Sequence, residues 1–161
     1  MLAGPEIAAA VTAAGFTHVV WLPDSHIGTW DEALRSTPGL ALIRVCREGE
    51  AVGLAAGLML GGARPLVMIQ CTGFFEAGDA IRNVAHDLSL PLKLLVGVRS
   101  ERAVREGQSK DNCPSFTAPV AAAWRLPTIR FDPFAGNSET VTTVIRDLAA
   151  VPTAALLLWA E

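Results

Sequence analysis

A strong charge of either sign is missing from this chain: 13 lysines and arginines face 16 aspartates and glutamates, a formal net charge of −3 over 161 residues. A nucleic-acid surface needs clustered cations, so no nucleic-acid partner is expected. Cysteine is sparse, and Cys46, Cys71 and Cys113 are widely spaced with no CxxC pair. That excludes a disulfide framework or a zinc-finger pattern and suits a reducing cytoplasm. No apolar run reaches the roughly 18 residues of a membrane helix; the longest uncharged stretch, residues 7–23, is interrupted by Gly15, Thr17 and His18. The alanine-rich opening carries Glu6 and no basic residue ahead of its apolar part, unlike a signal peptide. A soluble cytoplasmic protein with no membrane partner is expected. Also missing are a GxGxxG after the first strand, a Walker lysine loop, a GxSxG elbow and an HExxH helix, which argues against a self-contained nucleotide or hydrolase site.

Apolar residues, in contrast, make up 51% of the chain and charged residues only 18%, with a mean hydropathy of +0.38. The length is that of one domain, 1–161, with material for a substantial core. Short β-branched apolar runs alternate with segments of helical spacing, punctuated by glycine and proline. The pattern predicts strands over 18–22, 40–46, 65–70, 92–98, 128–131 and 154–159. Helices are predicted over 5–14, 29–36 with Thr29 as cap, 50–60, 78–88, 116–124 and from an Asn137 or Ser138 cap through 150. This alternation is the α/β signature: a three-layer α/β/α sandwich around a mainly parallel six-stranded sheet. Gly53 and Gly57 lie one helical turn apart, leaving a bare face for close packing, either on the sheet or on a partner.

In such folds ligands sit outside the carboxyl ends of the strands. The segments there are 23–28, 47–50, 71–78, 99–114 and 132–136. The fourth is the longest and most charged, a candidate lid or anion contact through Arg99, Arg102, Arg105 and Lys110. Of the three histidines, His18 falls in a strand and His86 in a helix, while His26 stands at a ligand-facing end. Glu48 enters the third helix just after a strand, where burial would raise its pKa and hold it as a neutral proton donor. Alternatively Glu48 and Glu50 are first-turn acids favoured by the helix dipole.

Three stretches carry a family resemblance: Leu22-Pro23-Asp24-Ser25, then Arg47-Glu48-Gly49-Glu50 continuing to Gly57, and the strand and turn from Pro65 to Gly73. Together they resemble the pyrimidine-binding domain of thiamine-diphosphate enzymes, most closely the α-subunit-like half of sulfopyruvate and phosphonopyruvate decarboxylases. A family glutamate followed nine residues later by glycine selects Glu48 with Gly57. The resemblance implies that Glu48 hydrogen-bonds the aminopyrimidine ring of thiamine diphosphate, that Thr72, Gly73 and Phe74 lie beside the cofactor, and that Asp24, Ser25 and His26 face the substrate. Phe74-Phe75-Glu76 departs from the family's small, glycine-rich turn.

The family holds magnesium and diphosphate through a Gly-Asp-Gly motif with a later asparagine, and that triplet does not occur here. The resemblance therefore implies a separate diphosphate-binding, β-type subunit that supplies most of the Mg2+ site, in a hetero-oligomer. The activity it implies is decarboxylation of a small 2-oxo acid such as sulfopyruvate or phosphonopyruvate, releasing CO2 and an aldehyde. Carboligation, decarboxylation of an aromatic 2-oxo acid, or a noncatalytic regulatory role on the same fold are the alternatives.

Overall fold

Proline, glycine and short polar caps set the element boundaries of the computed structural model, which describes residues 2–161; Met1 lies outside them. Pro5 presets the first turn and the Glu6 carboxylate accepts the Ala3 N–H at 2.7 Å, so helix α1 spans Gly4–Ala13 and ends before Gly15, whose φ is +81°. Strand β1 (His18–Trp21) follows and stops short of Pro23. The predicted helix 29–36 is a 3₁₀ turn, Ile27–Trp30, leading into α2 (Asp31–Ser36). Asp24 rather than Thr29 starts it, because its Oδ1 accepts the N–H groups of His26 and Ile27 at 2.7 and 2.9 Å. The next elements are β2 (Ala41–Arg44), α3 (Glu48–Leu60) and β3 (Pro65–Gln70).

The segment after β3 differs from the loop expected there: Cys71–Glu76 forms helix α4. Its fully buried Phe74 packs edge-on against Trp124, ring centroids 4.8 Å apart, and that anchor outweighs the roughly 1 kcal/mol a helical glycine costs at Gly73. Helix α5 (Gly78–Arg82) runs into a π-helical turn, Asn83–Asp87, before β4 (Lys93–Val98). The long charged segment holds a short helix, α6 (Glu101–Arg105). Helix α7 (Cys113–Ala123) starts earlier than predicted because Pro114 fits its first turn and Asp111 Oδ1 accepts the Cys113 N–H at 3.0 Å. Strand β5 (Thr128–Phe131), helix α8 (Ser138–Ala150) and strand β6 (Ala155–Ala160) complete the chain. Asn137 caps α8 as expected, accepting the Thr140 N–H at 3.0 Å.

The six strands form one sheet in the order β2-β1-β3-β4-β6-β5, and every ladder is parallel. Its inner strands are buried on both faces, which is why β4 and β6 read as continuous apolar runs. One core lies between the sheet and α1, α2 and α8, centred on Trp21, Met68, Leu95, Leu157 and Trp159. The second lies under α3, α4, α5 and α7, around Val20, Ile69, Phe74, Val96 and Leu158. The expected three-layer sandwich is what forms. No helix among the described residues is long and apolar enough to cross a membrane.

Close approach to the sheet by Gly53 and Gly57 does not occur. Ala51, Val52, Ala55 and Ala56 make the buried face of α3, and a Cβ at either glycine would meet nothing within 4 Å. The glycines instead share an exposed, uncharged face with Leu54 and Leu60. Gly78 is the opposite case, since a Cβ there would stand 2.5 Å from the Trp124 indole. Gly78→Ala is therefore expected to lower stability by about 1–3 kcal/mol through overpacking. Gly53→Ala should raise it by up to about 1 kcal/mol through helix propensity. Thermal or urea unfolding of the two variants measures both, and equal stabilities would contradict this packing.

Candidate active site

Parallel pairing puts the carboxyl ends of all six strands on one edge, and the candidate residues gather there in two groups on either side of the end of β3. In the first, Asp24 is held by three donors: the His26 and Ile27 N–H groups on Oδ1, and Gln70 Nε2 on Oδ2 at 3.1 Å. Gln70 Oε1 in turn accepts the Thr72 hydroxyl at 2.9 Å. A polar chain thus joins the ends of β1 and β3. Ser25 and His26 are exposed beside it, whereas His18 and His86 are engaged elsewhere, with the Thr17 hydroxyl and the Trp124 carbonyl.

The second group surrounds the start of α3, where three acids divide the work. Glu50 accepts the Cys46 N–H at 3.1 Å. Glu76 bridges the Arg47 guanidinium at 2.6 Å and the Gly49 N–H at 3.1 Å, and the Arg47 contact leads in holding its carboxyl below the usual range. Glu76 thus caps a free N–H of α3 from outside the helix, while Glu50, a first-turn acid, ties back the chain just before it. Glu48, the first residue of α3, is half-buried and lies across Gly73: a Cβ at Gly73 would come within 2.2 Å of Glu48 Cγ and Oε1. Gly73 is thus the seat of the Glu48 side chain.

Phe74 requires a correction. It has no exposed surface, packed between Phe75 and Trp124, so no face of its ring is free to line a cofactor pocket. Thr72 remains exposed and Gly73 is buried beneath Glu48. Cys71, also at this edge, is fully buried, and burial pushes its thiol up to about 11, so it is not an activated nucleophile.

The cationic segment after β4 is largely self-paired. Arg99 Nε meets Asp111 Oδ2 at 2.9 Å, Arg102 Nε meets Glu106 Oε1 at 2.7 Å, and Arg105 meets Asp132 at 2.7 Å. The Cys113 N–H, with Arg99, holds the Asp111 carboxyl well below the usual carboxylate range. Arg99 and Arg102 line a cavity of about 510 Å³ together with His26, Gln108, Phe134 and Glu161. Arg102 lies 4.5 Å over the Phe134 ring. Arg105 lines a different depression, and Lys110 is exposed outside both. The four candidate cations are therefore divided. Among the described residues, no three His, Cys, Asp or Glu side chains converge as a metal site.

Sequence reasoning missed Glu161. It follows β6 directly, its side chain is folded inward at 6% exposure, and neither carboxyl oxygen finds a hydrogen-bond partner. Burial first, and Asp24 second, push its carboxyl up to about 8. An acid immediately after an apolar strand is the signal in the sequence, and it stands at a carboxyl end that no loop between elements marks.

A family model described as the N-terminal TPP binding domain of thiamine pyrophosphate enzymes matches residues 1–118, which include Asp24, Glu48, Thr72 and Gly73. A curated relative, phosphonopyruvate decarboxylase from Streptomyces viridochromogenes, is 28% identical over 91 residues, covering 56% of this chain and 23% of the relative. Two solved structures share the fold. The thiamine diphosphate-dependent 4-hydroxybenzoylformate decarboxylase of Rhodococcus jostii matches with a TM-score of 0.70 at 16% identity, over 99% of this chain and 30% of that one. Benzoylformate decarboxylase from Polynucleobacter necessarius matches with a TM-score of 0.74 at 18% identity, over 100% of this chain and 30% of that one. The chain spans about a quarter of the length of the curated relative and under a third of each solved structure. By the match over residues 1–118, it belongs to the family of N-terminal TPP binding domains of thiamine pyrophosphate enzymes.

Proposed function

We propose that this chain is the pyrimidine-binding subunit of a thiamine-diphosphate-dependent 2-oxo acid decarboxylase acting on a small anionic substrate of the phosphonopyruvate or sulfopyruvate type. The observation that carries this reading is the seating of Glu48. A half-buried carboxyl is held over a glycine at the carboxyl edge of the sheet, while its neighbours Glu50 and Glu76 are engaged by the Cys46 and Gly49 N–H groups. The donor set suits the aminopyrimidine end of the cofactor, with a carboxyl group at Glu48 and a hydroxyl at Thr72, neither buried in the core. Bound thiamine diphosphate supplies the carbon nucleophile and the electron sink for loss of CO2. Glu48 would hold a proton at the pyrimidine ring nitrogen, and the partial burial of its carboxyl keeps that hydrogen bond from being screened by water. Asp24, Ser25 and His26 would face the substrate from the end of β1.

Magnesium and the diphosphate are assigned to a separate β-type subunit, completing the site in a hetero-oligomer. Support comes from the uncharged exposed face of α3, where Gly53, Leu54, Gly57 and Leu60 lie without a covering element. Anionic substrate recognition is assigned to Arg99 and Arg102, which share a cavity with His26, rather than to Arg105. The curated relative's name, phosphonopyruvate decarboxylase, supports the same substrate class.

Three outcomes test this reading. Glu48→Gln in the assembled enzyme should lower turnover by about 10²–10⁴-fold, the usual worth of a positioned proton-transfer group, without lowering the unfolding temperature; near-normal turnover removes Glu48 from the mechanism. Arg99→Ala should weaken binding of a phosphonate- or sulfonate-bearing 2-oxo acid by about tenfold or more, the loss of one charge-assisted hydrogen bond, whereas Arg105→Ala leaves it unchanged. Equal effects of the two changes on substrate titrations would contradict the division of the cations. Native mass spectrometry of the complex purified from source cells should show a second subunit and the added mass of magnesium thiamine diphosphate. Recovery of the chain alone without cofactor would favour a noncatalytic role.

A further inference from the structure

The ends of four adjacent strands, β1, β3, β4 and β6, place Asp24, Gln70, Gly97 and Glu161 in one row across the sheet edge. The ladders pair Gln70 with Gly97, and Gly97 with Trp159, and the Glu161 N–H extends the last ladder to the Val98 carbonyl at 3.2 Å. Gln70, Gly97 and Glu161 each lie two residues beyond a member of the same core, Met68, Leu95 and Trp159, so they share a face. Gly97 makes the row possible, because a Cβ there would stand 2.2 Å from Glu161 Oε1. The Glu161 side chain therefore lies across the bare backbone of β4 and reaches the neighbourhood of Asp24.

The two carboxyl groups meet very different surroundings. Asp24 receives three N–H donors. Glu161 is nearly fully buried and receives none. Two carboxylates cannot hydrogen-bond each other unless one carries a proton, and an unpaired buried charge is costly. We propose that Glu161 and Asp24 form an acid pair holding one proton, resident on Glu161, and that Glu161 is the proton donor of the decarboxylation. The second half of that statement rests on the decarboxylase reading; the first does not.

Glu161 also lines the cavity that His26, Arg99 and Arg102 share, so a proton there is on the side assigned to substrate. The charged or titratable groups that face it are Asp24 and His26 from the β1 end, Arg99 from the β4 end, Arg102 from α6 and Glu106 just after it. Arg99 pulls its pKa down, but the guanidinium is already engaged by Asp111. Burial and Asp24 prevail and push the carboxyl up to about 8. Converting a 2-oxo acid carboxylate to an aldehyde and CO2 consumes one proton per turnover. The Glu161 carboxylic acid gives its proton to the carbon that loses CO2, becomes a carboxylate, and regains a proton from water.

The pair is tested by carbon-13 titration of the chain labelled at its glutamate side-chain carboxyl carbons, with Glu161→Gln assigning the resonance. The expected midpoint is near 8, and Asp24→Asn should lower it by about one pH unit or more. Gly97→Ala, which evicts the carboxyl, should return the midpoint toward 4.5. A parent midpoint near 4.5, or one that Asp24→Asn leaves unmoved, overturns the pair. In the assembled enzyme, kcat should fall as pH rises through about 8, while Glu161→Gln should lower kcat by about 10²-fold or more and abolish that decline. Parent-like turnover in Glu161→Gln overturns the donor role. Failure of the parent complex to bind thiamine diphosphate would instead overturn the decarboxylase reading, with the titration result still deciding the pair.

Discussion

Parallel pairing of all six strands is the constraint from which the candidate site follows. Each crossover returns the chain to the amino edge, so every strand delivers its next residues to the same opposite edge. That is why Asp24, Glu48, Gln70, Thr72, Arg99 and Glu161, far apart in sequence, occupy one side of the molecule. The edge is also where backbone N–H groups at the starts of helices stand free, and three carboxylates bind them: Asp24 at the 3₁₀ turn, Glu76 at α3 and Asp111 at α7. Together with Arg47 and Arg99, these contacts hold the Glu76 and Asp111 carboxyls below the usual carboxylate range. Other acids at this edge are not engaged in this way.

Two such acids stand out, and each is seated over a glycine. Glu48 lies across Gly73 and Glu161 across Gly97, in positions that a single methyl group would fill. Glycine acts here by absence of volume rather than by backbone freedom, since neither residue has a left-handed φ. Their surroundings then separate them: Glu48 is half-buried, whereas Glu161 is enclosed next to a second carboxyl. Two carboxyl groups at one edge thus stand in different environments.

Local sequence signals described the layers well. The alternation of apolar runs and helical segments predicts all six strands, and the caps at Pro5 and Asn137 act as written. It failed where burial overrode propensity. Gly73 suggested a turn, yet Phe74 and Trp124 pull residues 71–76 into a helix. The same pull takes Phe74 away from the site, because a phenylalanine beside a candidate cofactor position looks identical in sequence whether its ring points out or in. Gly53 and Gly57 marked a bare helix face correctly, but whether that face meets the sheet or solvent depends on which alanines the sheet takes first.

By itself the sequence determined the α/β layering, the parallel order of elements and the position of Glu48 at a strand's carboxyl end, because periodicity, capping and strand-end placement are local properties. Only the tertiary structure decided which cations share a cavity, which of Glu48, Glu50 and Glu76 caps the helix, and that Glu161 lies across Gly97 toward Asp24. Those outcomes depend on strand order and register, which bring residues 24, 70, 97 and 161 side by side through contacts that no local stretch of sequence encodes.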